Sequence, residues 1–241
     1  MLQTIPTGSR LDVAANPNRL NMEKLAIIFD MDGVIVDNHR YHLQSWLSFF
    51  EQHDIRMSEA EYKKQVNGRV MHTILPQLLG RVLSPNEIRT LGEQKEAAYR
   101  KAYQADIQPT PGLVAFLEEL RQQDIPRAIA TSAPPANVEF TLEHTGLRAY
   151  FPVIVDDTMV TKGKPDPEVY LLSAKQLKIP PSRCIVFEDA ILGIQAGKNA
   201  GMRVVGVATT HTQEELRATK ADYVIDNFEN LTVEKLLKEL A

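Results

Sequence analysis

Leu25-Ala26-Ile27-Ile28-Phe29-Asp30-Met31-Asp32-Gly33-Val34-Ile35-Val36-Asp37 decides how this chain is read, because an apolar run ends in two carboxylates one residue apart. In an extended segment the side chains at i and i+2 point the same way, so Asp30 and Asp32 would offer both carboxylates to one small volume. At roughly 4 Å and an effective dielectric near 20, such a pair repels by about 4 kcal/mol, so a cation or a proton must be shared there. A divalent metal or an acid/base pair is implied. A purely structural reading closes the strand with an Asp32-Gly33 turn and caps the next helix with Asp37 or Asn38. It leaves Asp30 unexplained.

Working outward, 241 residues with 44% hydrophobic and 24% charged side chains suffice for one generous core or a core plus a smaller module. The formal net charge of -4, with Lys and Arg dispersed, provides no basic field for nucleic acid or an anionic membrane. The single cysteine, Cys184, stands in an apolar run and reads as a buried core thiol, which excludes an intramolecular disulfide. No apolar stretch approaches the roughly 18 to 20 residues that span a bilayer, so a soluble protein is expected. Residues 1–21 lack the apolar segment of a secretory signal and read as a flexible extension, with Met22 as an alternative start. A cytoplasmic location is the expectation, and the sequence is compatible with a monomer.

After Asp37 the pattern turns helical, with Leu43, Trp46, Leu47 and Phe50 forming an i, i+3, i+4, i+7 stripe. Further helices are predicted over 58–66, 70–79 and 84–104, with Ser58 and Ser84 at their starts and Pro85 in a first turn. No strand is expected between 38 and 108. Gln108-Pro109-Thr110-Pro111-Gly112 then breaks the chain. Beyond it a helical stripe at Leu113, Phe116, Leu117 and Leu120 leads to short apolar runs at 127–131, 153–155, 184–187, 204–207 and 223–225. These alternate with helices near 135–144, 167–178, 190–199, 212–218 and 231–240. With the first run this makes about six strands, and the alternation predicts an α/β fold, a doubly wound, mainly parallel sheet covered on both faces. The expected division is a core of 22–37 and 109–241 with an inserted helical cap, 38–108.

In such a sheet, ligands bind beyond the carboxyl ends of the strands. Asp30, Thr131 with Ser132, Lys164, and Glu188-Asp189 follow four successive strands and can meet there. Separately each has a structural alternative: Thr131 or Ser132 as a turn residue, Lys164 as a solvated charge, Asp189 as a cap for the helix near Ala190. Asp166 and Pro167 read as helix cap and first helical residue. Together, Asp30-x-Asp32, Thr131, Lys164 before Pro165, and Glu188-Asp189, followed by a helix with Gly193, Gly197 and Gly201, resemble the four motifs of the haloacid dehalogenase-like superfamily. The resemblance runs from about Leu25 to the C-terminus. The helical insert is similar to that of its β-phosphoglucomutase-like and phosphoglycolate phosphatase-like members.

The resemblance implies a Rossmann-like core and a magnesium-dependent phosphatase acting on a small phosphorylated metabolite, a sugar phosphate or a related compound. It casts Asp30 as the nucleophile that becomes an aspartyl phosphate, and Asp32 as general acid and then base, protonated through carboxylate crowding when substrate arrives. Mg2+ would be held by Asp30, the Asp32 carbonyl oxygen and Asp189, with Glu188 assisting. Lys164 would offset charge, Thr131 and Ser132 would bind phosphate, and Gly33 would let the backbone approach it. His42, Asn67, Arg69 and Lys95 would shape specificity from the cap. The alternative is a β-phosphoglucomutase-type mutase, which must also hold a second phosphate. Where that relative has an Arg and a Ser-Lys-Asn set for this purpose, this chain has Met71 and Ala133-Pro134-Pro135, which offer no side-chain donor. A non-catalytic phosphometabolite-binding protein is the third reading, but it should have lost a chemical residue, and none is missing.

Overall fold

The computed structural model describes residues 25–66, 69 and 71–241. Asn67 and Gly68 lie outside the described residues, as does the extension read at 1–21. Six strands form one parallel sheet: β1 (Ala26–Phe29), β2 (Arg127–Ala130), β3 (Val153–Val155), β4 (Cys184–Glu188), β5 (Arg203–Val207) and β6 (Tyr223–Ile225). Their order is β3-β2-β1-β4-β5-β6, every neighbour parallel. The order reverses beside β1, so the crevice between the carboxyl ends of β1 and β4 is where a ligand site is expected in this topology.

The strands read as continuous apolar runs because both faces are buried, and side chains alternate between two cores. Ile27, Phe29, Ile129, Ile185, Phe187 and Val205 face one layer, with α5 (Leu113–Gln122), α6 (Pro135–Thr145) and α10 (Val233–Glu239). Ala26, Ile28, Cys184, Val186 and Val204 face the other, with α7 (Glu168–Leu177), α8 (Ile191–Asn199) and α9 (Gln213–Arg217). Phe29 centres the first layer, stacked on Phe187 at 5.2 Å and edge-on to Phe116 and Phe151.

Between β1 and α5 lie α1 (His39–Gln52), α2 (Glu59–Gln65), α3 (Met71–Leu79) and α4 (Pro85–Tyr103). Trp46, Phe49, Phe50, Tyr62, Ile74 and Leu75 give these helices their own apolar core. Ser58 and Ser84 start α2 and α4 through reciprocal capping boxes with Glu61 and Glu87, and Pro85 occupies the first turn, as their sequence predicts.

Several local expectations change. Leu47 is 43% exposed, while Phe49 is buried. The buried stripe of α1 is shifted by one residue, because α1 packs on α4, where Tyr41 meets Tyr103, as well as on its own core. Gly201 is outside α8, in a left-handed turn at φ +75° after the helix ends at Asn199. Helix α7 begins at Glu168 with Pro167 at the cap position, and Asp166 accepts the Glu168 N–H at 3.1 Å. Asn38 is at the cap position of α1 but makes no capping bond there.

Candidate active site

The termini of β1, β2 and β4 and the loop to α7 bring polar residues to one cleft. Asp30, Asp32, Gly33, Thr131, Ser132, Lys164, Glu188 and Asp189 line it from the sheet side, and His42, Arg69 and Lys95 line it from the helical insert. Met71, Ala133 and Pro134 also line it, while Pro135 opens α6 and does not.

Asp30 follows β1, its N–H bonded to Phe187 O at 2.9 Å, which pins the ends of β1 and β4 together. The Lys164 ammonium lies 2.9 Å from Asp30 Oδ1 and 2.5 Å from Glu188 Oε1. Glu188, wholly buried, also accepts from Tyr170 Oη at 3.0 Å and the Ala190 N–H at 2.8 Å. The structural reading of Asp189 as the cap near Ala190 fails, because Ala190 itself holds the cap position of α8 and no side chain makes a capping bond there. Gly193 is required here: a Cβ would lie 1.6 Å from Glu188 Oε1. Gly33, at φ +78°, clears Asp189 in the same way, since a Cβ would lie 2.1 Å from Asp189 Oδ2. Its bare backbone makes room for a carboxylate, a role the sequence reading assigned to phosphate approach.

The electrostatics separate the acids. Burial raises Asp30 to about 7, against the pull of Lys164 and with the help of Glu188 and Asp32. Burial, with Glu188 and Asp30 nearby, pushes Asp189 well above the ordinary carboxylate range. Burial opposes the charge on Lys164, but Asp30 and Glu188 outweigh it and hold the ammonium protonated. Among the described residues, ligand oxygens of Asp30, Glu188 and Asp189 lie within 4.8 Å of one another, all three residues buried. Three buried acids facing one ammonium leave negative charge uncompensated, and an all-oxygen donor set suits a hard divalent cation. The residues fit such an ion.

Asp32 behaves differently, and here the sequence expectation is overturned. Burial would raise its pKa, but His42, a hydrogen bond from Asn38 and the Lys95 charge lower it below the ordinary value. Its immediate neighbours are the Asn38 amide and the His42 ring, with the Lys95 charge behind them, so carboxylate crowding does not protonate it. Asn38 Nδ2 donates to Asp32 Oδ1 at 2.6 Å and lies 2.7 Å from Tyr99 Oη, while Asn38 Oδ1 accepts the Gly33 N–H at 3.2 Å. His42 stacks on Tyr99 with centroids 3.8 Å apart, and its Nε2 is 3.5 Å from Asp32 Oδ1. Lys95 Nζ is 2.9 Å from His42 Nδ1. An ammonium can only donate, so Nδ1 accepts and the imidazole proton sits on Nε2, facing Asp32.

Thr131, buried after β2, accepts the Ala133 N–H at 3.0 Å and keeps its hydroxyl proton free to donate. Ser132 is half-buried and Arg69 exposed. Sequence reasoning missed Glu96, Asn137, Tyr170 and Thr210, and assigned Asn38 only a capping role. A pair such as Lys95-Glu96 on an amphipathic helix reads as solvated charge, and no local signal marks it as buried.

Residues 27–207 match the family model for haloacid dehalogenase-like hydrolases. Beta-phosphoglucomutase of Bacillus subtilis is 33% identical over 223 residues, 89% of this chain and 94% of that protein. The chloroplastic 5-amino-6-(5-phospho-D-ribitylamino)uracil phosphatase of Arabidopsis thaliana is 29% identical over 221 residues, 91% of this chain but 59% of that protein. A crystal structure of a HAD hydrolase, family IA, variant 3, from Entamoeba histolytica superposes with a TM-score of 0.81 at 30% identity, covering 90% of this chain and 99% of that one. No helix among the described residues is long and apolar enough to cross a membrane.

Proposed function

Because the chain belongs to the haloacid dehalogenase-like hydrolase family, we propose that it is a magnesium-dependent phosphatase that hydrolyses a small phosphorylated metabolite, a sugar or polyol phosphate, through an aspartyl phosphate. The observation that carries this reading is the buried ammonium of Lys164 bridging Asp30 and Glu188 at the carboxyl ends of β1 and β4. Asp30, the Asp32 carbonyl oxygen and Asp189, with Glu188 assisting, are the oxygen donors that would hold magnesium, whose charge supplies Lewis-acid polarisation of the phosphoryl oxygens.

In the first step an Asp30 carboxylate oxygen attacks phosphorus and the bond to the substrate oxygen breaks. The electron pair leaves on that oxygen, which takes a proton from Asp32. Asp32 gains that proton when a phosphate dianion enters, because a like charge nearby raises a carboxyl pKa. In the second step water attacks phosphorus, Asp32 accepts the water proton, and the Asp30–phosphorus bond breaks to release phosphate. Lys164 and Thr131 supply charge and hydrogen bonding to the transferring group, and Ser132 borders it. Residues 38–108 act as the cap, with His42, Asn67, Arg69 and Lys95 setting specificity and closure excluding bulk water.

The mutase reading is favoured by the identity to the Bacillus subtilis enzyme and by Arg69 at the cleft. Against it, the cleft presents Met71, Ala133 and Pro134 where a second phosphate would need donors. Phosphorus NMR of the protein with magnesium and a panel of sugar, polyol and small-acid phosphates tests both. Free phosphate that stops forming when magnesium is chelated supports the hydrolase. Conversion of β-glucose 1-phosphate to glucose 6-phosphate, primed with bisphosphate and without free phosphate, sinks it in favour of the mutase.

A further inference from the structure

Lys95 and Glu96 are consecutive residues of α4, and consecutive helical side chains diverge by about 100°. Yet Lys95 Nζ and Glu96 Oε1 meet at 2.9 Å, with both residues buried. Something must hold the carboxylate in place, and Asn137 does so from the sheet-side helix α6. Its Nδ2 donates to Glu96 Oε2 at 2.7 Å, and its Oδ1 accepts from Arg100 Nη1 at 2.7 Å. Glu96 and Arg100 are one turn apart on α4, so one wholly buried amide grips the same helix face twice. Neither Asn137 nor Glu96 has a part in the chemistry described above. Lys95 and its neighbours hold Glu96 below its ordinary pKa against the effect of burial, so it faces Lys95 as a carboxylate.

The path continues into the site. Lys95 donates to His42 Nδ1, and that bond sets the tautomer that turns Nε2–H toward Asp32. We infer that Glu96, anchored by Asn137, is a positioning residue for the reaction: it fixes the Lys95 ammonium on His42, and so aligns Asp32 only while α4 is seated on α6. The inference rests on the phosphatase reading with Asp32 as acid and base. It adds that the seating of the cap is registered by a core-helix amide that lines the cleft but hydrogen-bonds to Glu96 and Arg100.

The pairing can be exchanged. Asn137→Asp sets two carboxylates against each other, and Glu96→Gln removes the anion that holds Lys95. In Glu96→Gln/Asn137→Asp, the new amide donates to the new carboxylate and accepts from Lys95, while Arg100 keeps its acceptor. With the full chain, magnesium and the best substrate of the panel, each single variant should lose about tenfold or more in kcat with KM changed by no more than about twofold, and the double variant should recover most of the loss. Asn137→Ser, which removes both bonds without adding charge, serves if Asn137→Asp does not fold.

Nitrogen-detected NMR of the His42 ring supplies a readout independent of turnover: the Nε2–H tautomer in the wild type and the double variant, and mixed tautomers in the single variants. Melting temperatures that fall while kcat and the tautomer hold would reduce the clamp to packing and overturn the inference. So would a rise in KM at unchanged kcat, which would put these side chains on the substrate, or a double variant no better than the worse single one. A wild type that hydrolyses nothing on the panel defeats the phosphatase reading itself, and the tautomer measurement then still decides whether the lock exists.

Discussion

Lys164→Met removes the ammonium that, among the described residues, faces Asp30, Glu188 and Asp189, while roughly keeping the volume of the buried stem. At 2.9 and 2.5 Å and an effective dielectric near 20, each of its two contacts carries a gross attraction of about 6 kcal/mol, most of which the cost of burying Lys164 offsets. The variant suffers because the acids remain: removing one partner of a buried pair costs about 3–5 kcal/mol. Urea unfolding at pH 8 with a chelator present should show that loss. Two rescues follow. Excess magnesium should restore about 2–3 kcal/mol at a hundredfold over its dissociation constant, because it binds only the folded chain. Acid should also help. Asp30 has a folded pKa of about 7, above its unfolded value, so the folded state holds the proton more tightly. The stabilisation from that proton is full below about pH 4 and is lost as pH rises through about 7. Without Lys164, whose charge lowers it, Asp30 in the variant holds its proton more tightly still, so the gap between variant and wild type should narrow as pH falls from 8 to 5. Turnover should drop by about a hundredfold or more, as for loss of a charge-stabilising group. A variant within about 1 kcal/mol of wild type in chelator at pH 8 would refute the uncompensated-acid argument.

Gly193→Ala drives a methyl group into the Glu188 carboxylate and should weaken magnesium binding in calorimetry more than it lowers the melting temperature; an unchanged affinity would remove Glu188 from the ion's surroundings. Asp157 is raised to about 6 by burial, then by Asp156 and Glu96, and its buried Oδ1 has no partner. Its raised pKa means stabilisation lost as pH rises through about 6, so Asp157→Asn should be more stable than wild type by about 1 kcal/mol above that pH, the full two-unit linkage being discounted for solvent, and equal stability at pH 8 would contradict this. Phe29→Ala opens a void among Phe116, Phe151 and Phe187 and should cost about 3–5 kcal/mol in denaturant unfolding; a loss below about 1 kcal/mol would show the aromatic layer closing over it.

The reading of individual residues succeeded where the signal is periodic and local. Cys184 to Phe187 is apolar at every position because β4 is covered on both faces, and that run can be recognised without knowing its neighbours. The Ser58 and Ser84 capping boxes are equally local, each closing within four residues. Leu47 failed because a helix stripe depends on what the helix packs against, and α1 meets two partners. Asn38 failed for a related reason: its side chain abandons the cap for Asp32 and Tyr99, the latter 61 residues away.

From the sequence alone came the parallel α/β architecture, the helical insert and the proximity of Asp30 to Asp32, since burial periodicity, turn residues and i, i+2 geometry all operate over a few residues. Tertiary structure alone decided the strand order that sets β4 beside β1, the clearance of Asp189 over Gly33, and the ionisation of Asp32. A carboxyl group's pKa is the sum of its burial and every nearby charge, and around Asp32 those charges arrive from α1 and α4. Two acids one residue apart in the chain therefore end in opposite states, Asp30 drawn toward its proton and Asp32 away from it, because burial, with Glu188 and Asp32 nearby, outweighs Lys164 at Asp30, while His42, Asn38 and Lys95 outweigh burial at Asp32.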